Sequence, residues 1–281
     1  MTAATSAVPS PSLGLTSPSP APATLAGCPP LQPERALPVI ARLAGDPDDV
    51  SAAPDGSMWV SDSDLHAVLH LSATGVVLGQ IQMNDPEGAV VLPDGHLAVA
   101  DQGSNRIVVI APTPGAPARV LAALPAAAGQ LGVDGIGYDS ASGQLLVPDS
   151  PVGRLFSLSP ASGAVTLLAS GMGRIVAAII GPDGAIYAVA ETARGLQRVP
   201  RGGGRAVQVG SLRDLDDVVA LNGLLYVTDL GGSVWAVDPS TGGQRELVSQ
   251  AAAPQGLAVL AGRLVLVDET TRAVSWLRPC A

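Results

Sequence analysis

The stretch DPEGAVVLPDGHLAVADQGSNRIVVI, residues 85–110, contains three short apolar runs, which are Ala89–Leu92, Leu97–Ala100 and Ile107–Ile110. The first two runs flank Pro93-Asp94-Gly95, a tight-turn sequence whose glycine supplies the positive φ that such a turn needs. A polar turn precedes the third run, and we expect a fourth strand at Arg119–Leu124. The stretch therefore predicts a sheet of four short antiparallel strands, which is too small to bury both of its faces alone.

The same unit recurs along the chain, and two markers record its step. The first marker precedes the hairpin turn by about seven residues and falls at Asp48, Glu87, Asp134, Val176, Asp216 and Gln255, with steps of 39, 47, 42, 40 and 39 residues. The second marker is the acid that closes the second strand, at Asp62, Asp101, Asp149, Glu191, Asp229 and Asp268, with steps of 39, 48, 42, 38 and 39 residues. Six units of about forty residues, each a four-stranded sheet, predict an all-β fold, the six-bladed β-propeller.

The composition agrees with this fold and excludes several classes of function. The 281 residues are 47% hydrophobic and include 33 glycines and 25 prolines, as expected for many short strands and turns. No uncharged apolar run approaches the roughly 20 residues needed to cross a bilayer. The net charge is −9 and every cation is arginine. We therefore expect no nucleic-acid partner, and Schiff-base chemistry on a lysine is excluded.

Residues 1–37 differ in composition from the rest of the chain. Up to residue 33 they carry no charge and are rich in Pro, Ser, Thr and Ala, so they offer little apolar surface to offset the entropy lost on ordering. We expect a disordered leader or linker over residues 1–37 and a propeller over residues 38–281. Within the leader, Leu25-Ala26-Gly27-Cys28 is similar to a bacterial lipobox, in which the cysteine is lipidated after cleavage.

The ring of blades needs one more strand, because the last unit supplies only three. The spare strand is Pro38–Gly45, which would close the ring beside Ala273–Arg278. Antiparallel pairing of these strands would bring Cys28 close to Cys280. We predict a disulfide between these cysteines, with two unpaired thiols as the alternative. A disulfide favours an oxidising compartment and hence an exported protein.

The chemistry is expected on the propeller axis, where the first strand of each blade lines the central channel. Four of the first-marker residues there are carboxylates, Asp48, Glu87, Asp134 and Asp216. Carboxylates this close repel one another, so they either hold protons or bind a cation. A set of oxygen ligands without His or Cys favours Ca²⁺, and the sequence predicts a Ca²⁺ site at these four residues.

Other polar residues near the ring extend this prediction. Gln255 offers a fifth, neutral oxygen and a contact to substrate. Asp49 and Asp217, which follow two ring members, would hydrogen-bond behind the ligands. His66, in the loop after the second strand of the first blade, is a candidate general base or substrate contact.

A purely structural ring is the alternative interpretation. In that case the acids accept hydrogen bonds from backbone N–H groups, or pair with Arg174 and Arg213, which lie close in sequence to the fourth and fifth ring positions. The second-marker acids occur in all six units, and we interpret them as ties between strand ends and the following loops.

These residues carry a family resemblance. Residues 86–110 resemble an NHL repeat, whose pattern runs P-x-G-I-A-V, D-G-x-x-Y-V-A-D and N-x-R-I. The segments VDGIGYD (133–139) and PQGLAVL (254–260) are also similar to those of senescence marker protein-30, gluconolactonase and strictosidine-synthase-like propellers. The resemblance covers Pro38 to Cys280 and implies a six-bladed propeller.

In the lactonase group, the resemblance implies a divalent cation on the axis, held by Glu, Asn and Asp side chains from blade starts. The cation polarises a lactone or ester carbonyl while a carboxylate assists the attack of water. By position this nominates Asp48, Val176 and Asp216. Valine cannot bind a metal, so Glu87 and Asp134 would have to complete the ligand set.

Two functional hypotheses follow. The first is an exported, Ca²⁺-dependent hydrolase of lactones or related esters, with the metal as Lewis acid and Asp216 or Glu87 handling the proton. The second is a non-catalytic exported propeller that binds a small molecule or a protein on its acidic face, with a structural cation or none. In both cases we expect a monomer.

Overall fold

The computed structural model describes residues 22–124 and 131–281, and it consists of six antiparallel sheets arranged around a central channel. Each sheet is one blade of four antiparallel strands, and the fifth blade carries one additional short strand. The predicted six-bladed propeller is therefore confirmed. Helical structure in the described residues is limited to short 3₁₀ turns, at Leu25–Gly27, Glu34–Ala36, Gln102–Ser104 and Ser150–Val152.

Two short strands precede the first blade, β1 (Gln32–Pro33) and β2 (Val39–Arg42). The first blade consists of β3 (Pro47–Ala52), β4 (Met58–Asp62), β5 (Ala67–Leu71) and β6 (Val77–Gln82). The second consists of β7 (Pro86–Val91), β8 (Leu97–Asp101), β9 (Arg106–Ile110) and β10 (Arg119–Ala123). The third consists of β11 (Gly137–Asp139), β12 (Gln144–Asp149), β13 (Arg154–Leu158) and β14 (Val165–Ser170).

The remaining three blades follow the same order from channel to periphery. The fourth consists of β15 (Ile175–Ile180), β16 (Ile186–Ala190), β17 (Gln197–Val199) and β18 (Val207–Gln208). The fifth consists of β19 (Leu215–Leu221), β20 (Leu224–Asp229), β21 (Ser233–Val237) and β22 (Gln244–Ser249). The sixth has β23 (Pro254–Leu260), β24 (Arg263–Asp268) and β25 (Ala273–Leu277) from its own repeat.

The second blade shows why these sequences form hairpins. β7 and β8 pair with Val91 opposite Leu97, and the turn between them places Gly95 at φ 84°. β8 is buried along its whole length, because it is covered by a neighbouring blade on each face. The apolar run therefore forms a central strand, and the glycine allows the chain to reverse.

The core lies between the blades. Six apolar clusters of the described residues fill the six interfaces between neighbouring blades. Val68 and Val99, for example, meet between the first and second blades. Val60 and Val267 belong to the cluster between the first and sixth blades, where the circle closes. Every blade is thus held by its two neighbours.

The N-terminal strand completes the last blade, as predicted. β2 pairs antiparallel with β25, with Val39 opposite Ser275 and Arg42 opposite Ala273. The observed strand, Val39–Arg42, is shorter than the predicted Pro38–Gly45. The sixth blade therefore joins the two ends of the folded chain.

Residues 22–37 pack against the last two blades, although the composition assigned them to the leader. β1 pairs parallel with β22, with Gln32 opposite Val248. Cys28 and Leu37 lie in the apolar cluster between the fifth and sixth blades, which gives this Pro- and Ala-rich segment an anchor. Residues 1–21 lie outside the described residues, so the disordered leader stays a prediction for them.

The predicted disulfide joins Cys28 to Cys280 across 252 residues of sequence. Because the sulfur of Cys28 is bonded to Cys280, it is not available for the lipid that the lipobox-like segment would attach. No helix in residues 22–124 or 131–281 is long and apolar enough to cross a membrane.

Replacing both cysteines, in a Cys28→Ser/Cys280→Ser variant, should destabilise the protein by about 2–5 kcal/mol, since a crosslink between distant residues restricts the unfolded chain. Urea unfolding followed by tryptophan fluorescence would measure the loss. Reduction of the wild-type protein should lower its stability by a similar amount and leave the variant unchanged. Alkylation of two thiols in the folded or unfolded wild-type protein without prior reduction would contradict the disulfide.

Candidate functional site

The candidate site lies at one end of the central channel, where the inner strands begin. Five of these strands, β3, β7, β15, β19 and β23, have a bulge of one extra residue near their start. In β7, for example, Pro86 lies opposite Asp101 and Gly88 opposite Ala100, so Glu87 has no partner in β8. Such a bulge interrupts the alternation of side chains and redirects the extra residue.

The six first-marker residues lie at this end of the channel. Asp48, Asp134, Val176 and Asp216 line one narrow cavity. The Asp48 and Glu87 carboxyl groups lie within hydrogen-bonding distance of each other. We call Asp48, Glu87, Asp134 and Asp216 the carboxyl ring. Val176 is 1% exposed and adds no polar group.

Withdrawal from water changes the protonation of the ring. Burial, with the neighbouring carboxylates of Asp134, Asp85 and Asp216, raises the pKa of Glu87 to about 8, against the opposing effect of its hydrogen bond with Asp48. Burial, then Glu87 and Asp134, raise the pKa of Asp48 well above its ordinary value. The pKa of Asp216 is raised well above its ordinary value by burial and then by the neighbouring acids, of which Asp48 has the largest effect. At neutral pH the ring therefore retains protons.

Arg174 neutralises part of this acidity. Its Nη2 lies 2.6 Å from Asp134 Oδ2, and its Nε pairs with Glu191 Oε2. Burial raises the pKa of Asp134 to about 7, and the Arg174 guanidinium opposes that rise. The alternative interpretation of the sequence paired a ring acid with Arg174, and this contact is present. Arg213 is exposed and forms no ion pair in the described part of the chain.

Glu191 is a second-marker residue that lies beside the carboxyl ring, where it shares Arg174 with Asp134. The other members of that series are aspartates with structural contacts: Asp101 and Asp149 bind Arg106 and Arg154, and Asp268 accepts hydrogen bonds from the Ala253 and Thr271 amides. Glu191 instead reaches Arg174 beside Asp134. The sequence held a signal for this different role, because Glu191 is the one glutamate among the six second-marker acids and its side chain is longer by a methylene group.

Gln255 supplies an unsatisfied acceptor. Its Nε2 donates to Glu269 Oε2 at 3.0 Å, and this bond orients the amide. Its Oε1 is buried and has no hydrogen-bond partner within the described residues. Buried acceptors are normally paired, so this oxygen is available to a ligand. Sequence reasoning did not identify Glu269, which is also close enough to Asp48 to raise the pKa of that group.

Asp49 and Asp217 join neighbouring blades below the ring. Asp217 accepts hydrogen bonds from its neighbour Val218 N and, across the interface, from Leu257 N, both at 2.6 Å. Asp49 likewise accepts from the Val50 and Ala89 amides. Burial raises the pKa of Asp217 to about 7. These carboxyl groups therefore link neighbouring blades behind the ring, through hydrogen bonds to the backbone of the next blade.

The channel is narrow at the level of Asp49 and Asp217, and we call this level the waist. Here the backbones of neighbouring blades are in contact. A Cβ atom on Gly135 would lie 2.6 Å from the Val176 carbonyl oxygen, and one on Gly256 would lie 2.7 Å from Asp49 Cα. Neighbouring blades therefore approach too closely for a side chain at these two positions. The ring above and the channel below adjoin at this level, where Asp49 and Asp217 line both spaces.

His66 lies apart from the ring. It is exposed in the turn after β4, at φ 50°, and its backbone carbonyl accepts from Met83 N. Among the residues that the structure describes, no side-chain hydrogen bond connects His66 to a ring residue. Its role as a general base or substrate contact stays a prediction.

A second histidine meets a serine at the hairpin end of the first blade. His70 Nε2 lies 2.8 Å from Ser57 Oγ, and the imidazole stacks on Trp59 with ring centroids 4.2 Å apart. Ser57 Oγ donates to Asp55 Oδ1 at 2.6 Å, so its proton is directed away from the imidazole. In a hydrolytic triad the acid orients the histidine instead, so this contact is structural.

The ring has the donor chemistry of a Ca²⁺ site, but its oxygens do not yet surround one point. Carboxylates and an unpartnered amide oxygen are suitable ligands for a hard cation. No group of three or more His, Cys, Asp or Glu side chains in residues 22–124 and 131–281 converges in a metal-binding geometry. Asp48 is in contact with Glu87, and Asp134 with Arg174. Protons and one guanidinium therefore balance the ring charge in this arrangement.

Buried acids with raised pKa values make the stability depend on pH. Between pH 5 and 8 the folded protein holds more protons than the unfolded chain, so the free energy of unfolding falls as the pH rises. Thermal melts in EDTA should show this fall. In Glu87→Gln the fall should be shallower by up to about 1.4 kcal/mol per pH unit, since glutamine does not titrate. The exposed Asp94→Asn variant should keep the wild-type slope, and a wild-type melting temperature that is constant or rises over this range would contradict the prediction.

Comparison with known proteins identifies one repeat and supports the fold. Residues 83–110 match the NHL repeat family. No curated protein matches the sequence. The structure is similar to that of regucalcin from Agrobacterium tumefaciens, a calcium-binding protein, with a TM-score of 0.68 and 15% identity over 89% of this chain and 95% of that chain.

Two enzymes share the fold at similarly low identity. One is a gluconolactonase from Xanthomonas campestris, with a TM-score of 0.68 and 14% identity over 86% of this chain and 89% of that chain. The other is a catalytically inactive virginiamycin B lyase from Staphylococcus aureus, solved with quinupristin, with a TM-score of 0.66 and 17% identity over 84% of this chain and 82% of that chain. The protein is therefore a six-bladed β-propeller with an NHL repeat in its second blade and the fold of the gluconolactonase-type propellers.

Proposed function

We propose that the carboxyl ring binds Ca²⁺ in exchange for its protons, and that the protein uses this site to hydrolyse lactones or related esters. The observation that carries the proposal is the grouping at one channel end of Asp48, Asp134 and Asp216 in one cavity with Glu87 beside Asp48. Gln255, whose Oε1 has no partner among the described residues, is bonded to Glu269, which also lies near Asp48. The calcium-binding regucalcin and the gluconolactonase with the same fold add support, at 15% and 14% identity.

Asp48, Glu87 and Asp216 are the carboxylates that would hold the ion, with Gln255 Oε1 as a neutral ligand. Asp134, the fourth predicted ligand, is paired with Arg174 and would have to exchange that partner to take part. A bound Ca²⁺ ion supplies a Lewis acid that polarises a carbonyl group. Val176 gives the fourth blade no ligand at the first-marker position, and Arg174 of that blade pairs with Asp134 instead.

The ring residues can also move a proton. In the ion-free ring, burial raises the pKa of Glu87 to about 8, and a bound cation would lower it, so that Glu87 is ionised and able to accept a proton. Asp216 lies in the same cavity and faces Asp48 and Asp134. One of these two acids would take the proton of the attacking water and return it to the leaving oxygen. Arg174 Nη1 is buried without a partner among the described residues and can donate to the substrate.

A non-catalytic propeller that binds a small molecule or a protein on its acidic face is the second candidate. The pairing of Asp134 with Arg174 and the valine at the fourth ring position favour it, because both reduce the ligand set. Ion binding and ester turnover therefore have to be measured separately.

The disulfide supports export to an oxidising compartment for either function, since such bonds persist mainly outside the cytosol. We propose a periplasmic, cell-envelope or extracellular location, and a monomer.

Ca²⁺ should raise the melting temperature more at pH 8 than at pH 5.5, because the ion competes with the ring protons for the same oxygens. A free Ca²⁺ concentration of 100 times the dissociation constant corresponds to about 2.7 kcal/mol of stabilisation. Thermal melts with and without EDTA measure the effect. Asp216→Asn should lose most of it and Asp94→Asn should keep it, whereas a wild-type melt indifferent to millimolar Ca²⁺ at pH 8 would rule out the ion site.

Hydrolysis of a panel of γ- and δ-lactones should follow the same residues. Asp216→Asn and Glu87→Gln should each lower kcat/KM by about 10²-fold or more, the usual effect of removing a general acid or base. A pH-stat assay with Ca²⁺ present measures the rate, with Asp94→Asn as the matched control. A wild-type protein that binds Ca²⁺ but turns over no lactone or ester would support the non-catalytic propeller instead.

A further inference from the structure

A second and larger cavity opens on the opposite face of the propeller. It has a volume of about 540 Å³ and is formed by the later residues of all six inner strands. This is within the range of roughly 300–1,000 Å³ that is typical of small-molecule sites. We call it the lower funnel. The narrow waist at Gly135 and Gly256 lies between it and the carboxyl ring.

Most side chains in the wall of the lower funnel are apolar, while backbone groups and the acids make about half of its exposed surface polar. Val91, Ile179, Val219 and Val259 line it from four different blades, and each is only partly buried. Tyr138 adds an aromatic side chain from the third blade. A wall of this composition favours a hydrocarbon or aromatic group over water.

The floor of the lower funnel is acidic. Asp49 and Asp217 line both the narrow cavity of the ring and the lower funnel, so their carboxyl groups lie at the waist. Their hydrogen bonds come from backbone amides of their own and the next blade. Neither aspartate forms an ion pair within residues 22–124 and 131–281. The floor therefore has two carboxyl groups and no countercharge; burial raises the pKa of both groups, and a cation placed beside them would favour their ionised forms.

The cation near the rim is already paired. Arg201 Nε donates to Asp139 Oδ2 at 3.0 Å, and its Nη2 pairs with Asp139 Oδ1. Asp139 also accepts from Ser142 Oγ at 2.6 Å. The rim charges thus cancel each other. Within the funnel, Ser51 Oγ is buried and has no hydrogen-bond partner among the residues described.

From these features we infer that the lower funnel binds a small organic cation, with its ammonium group at Asp49 and Asp217 and its aliphatic or aromatic body against the apolar wall. The wall extends about three residues beyond the floor, or roughly 10 Å at the rise of a β-strand. The body is therefore about the length of one or two fused rings. Ser51 Oγ gains a partner if the ligand carries a polar group beside the ammonium.

The acidic floor and the depth of the lower funnel favour a small organic cation over an anionic or a neutral ligand. An anionic ligand would meet two carboxyl groups at the floor without a free cation to balance them. A neutral apolar ligand would cover the wall but leave the floor unpaired. This inference does not depend on Ca²⁺ or on hydrolysis, because it uses Asp49, Asp217 and the funnel wall and none of the four carboxyl groups of the ring.

Three naphthalene probes that differ in charge test the inference. Isothermal titration calorimetry in EDTA would compare the cation 1-naphthylmethylammonium, the neutral 1-naphthalenemethanol and the anion 1-naphthaleneacetate. The ammonium compound should bind at least tenfold more tightly than the alcohol, and the acetate should not bind measurably. Equal binding of the three compounds, or no binding of the ammonium compound, would overturn the inference.

Variants locate the binding. Ala220→Trp, on the funnel wall, should weaken binding of the ammonium compound at least tenfold by filling the cavity. Ala123→Trp, on the exposed outer strand β10, is the matched control and should bind normally. Asp217→Asn should weaken the ammonium compound and not the alcohol. If Asp217→Asn fails to fold, Ala220→Trp and the second filling variant Ala52→Trp decide, and normal binding by both would overturn the site.

The result separates cleanly from the proposed function. Ala220→Trp should keep the stabilisation by Ca²⁺, because it changes only the lower funnel. A protein that binds the ammonium compound in EDTA but shows no response to Ca²⁺ would refute the ring proposal and leave this one standing. A protein that responds to Ca²⁺ but binds no ammonium compound would do the reverse.

Discussion

Apolar packing between neighbouring blades is the interaction on which the rest of this structure depends. No blade can bury both of its faces alone, so each one is stable only between two others, and the set must close into a circle. The six clusters at the six interfaces show that this requirement is met all the way round. Closure places the N-terminal strand β2 beside β25 and brings Cys28 to Cys280, so the chain ends are held where the circle would otherwise open.

Closing the circle of blades also brings acidic side chains close together at the axis. Six inner strands converge; bulges in three of them bring Asp48, Glu87 and Asp216 to one end of a narrow channel, and the segment before β11 brings Asp134 there. Carboxylates withdrawn from water beside one another are costly, and the protein reduces that cost with protons on Glu87 and its neighbours and with Arg174 on Asp134. A ring balanced in this way is suited to exchange its protons for a cation. At the waist, Asp49 and Asp217 form the acidic floor of a funnel whose wall side chains are mostly apolar.

The sequence predicted much of the fold because a repeat exposes its own period. Two markers that recur about every forty residues predicted six blades. The turn at Gly95 predicted a hairpin, and the three strands of the last unit predicted a closing strand. The structure confirms all three predictions. The prediction was wrong about residues 22–37, which pack against the last two blades although they are rich in Pro and Ala. Their anchor is the bond of Cys28 to Cys280, which also excludes the lipid suggested for Cys28. Local composition does not report such a long-range contact.

For the site, the sequence by itself determined which residue each blade has at the first-marker position, because the repeat aligns these residues. Only the tertiary structure decided their partners. Arg174 pairs with both Asp134 and Glu191, Glu269 orients Gln255, and Asp49 and Asp217 bind the backbone of the next blade. These contacts join residues from different elements, and their protonation depends on burial and on neighbours across the channel. Those two quantities exist only once the circle of blades has closed.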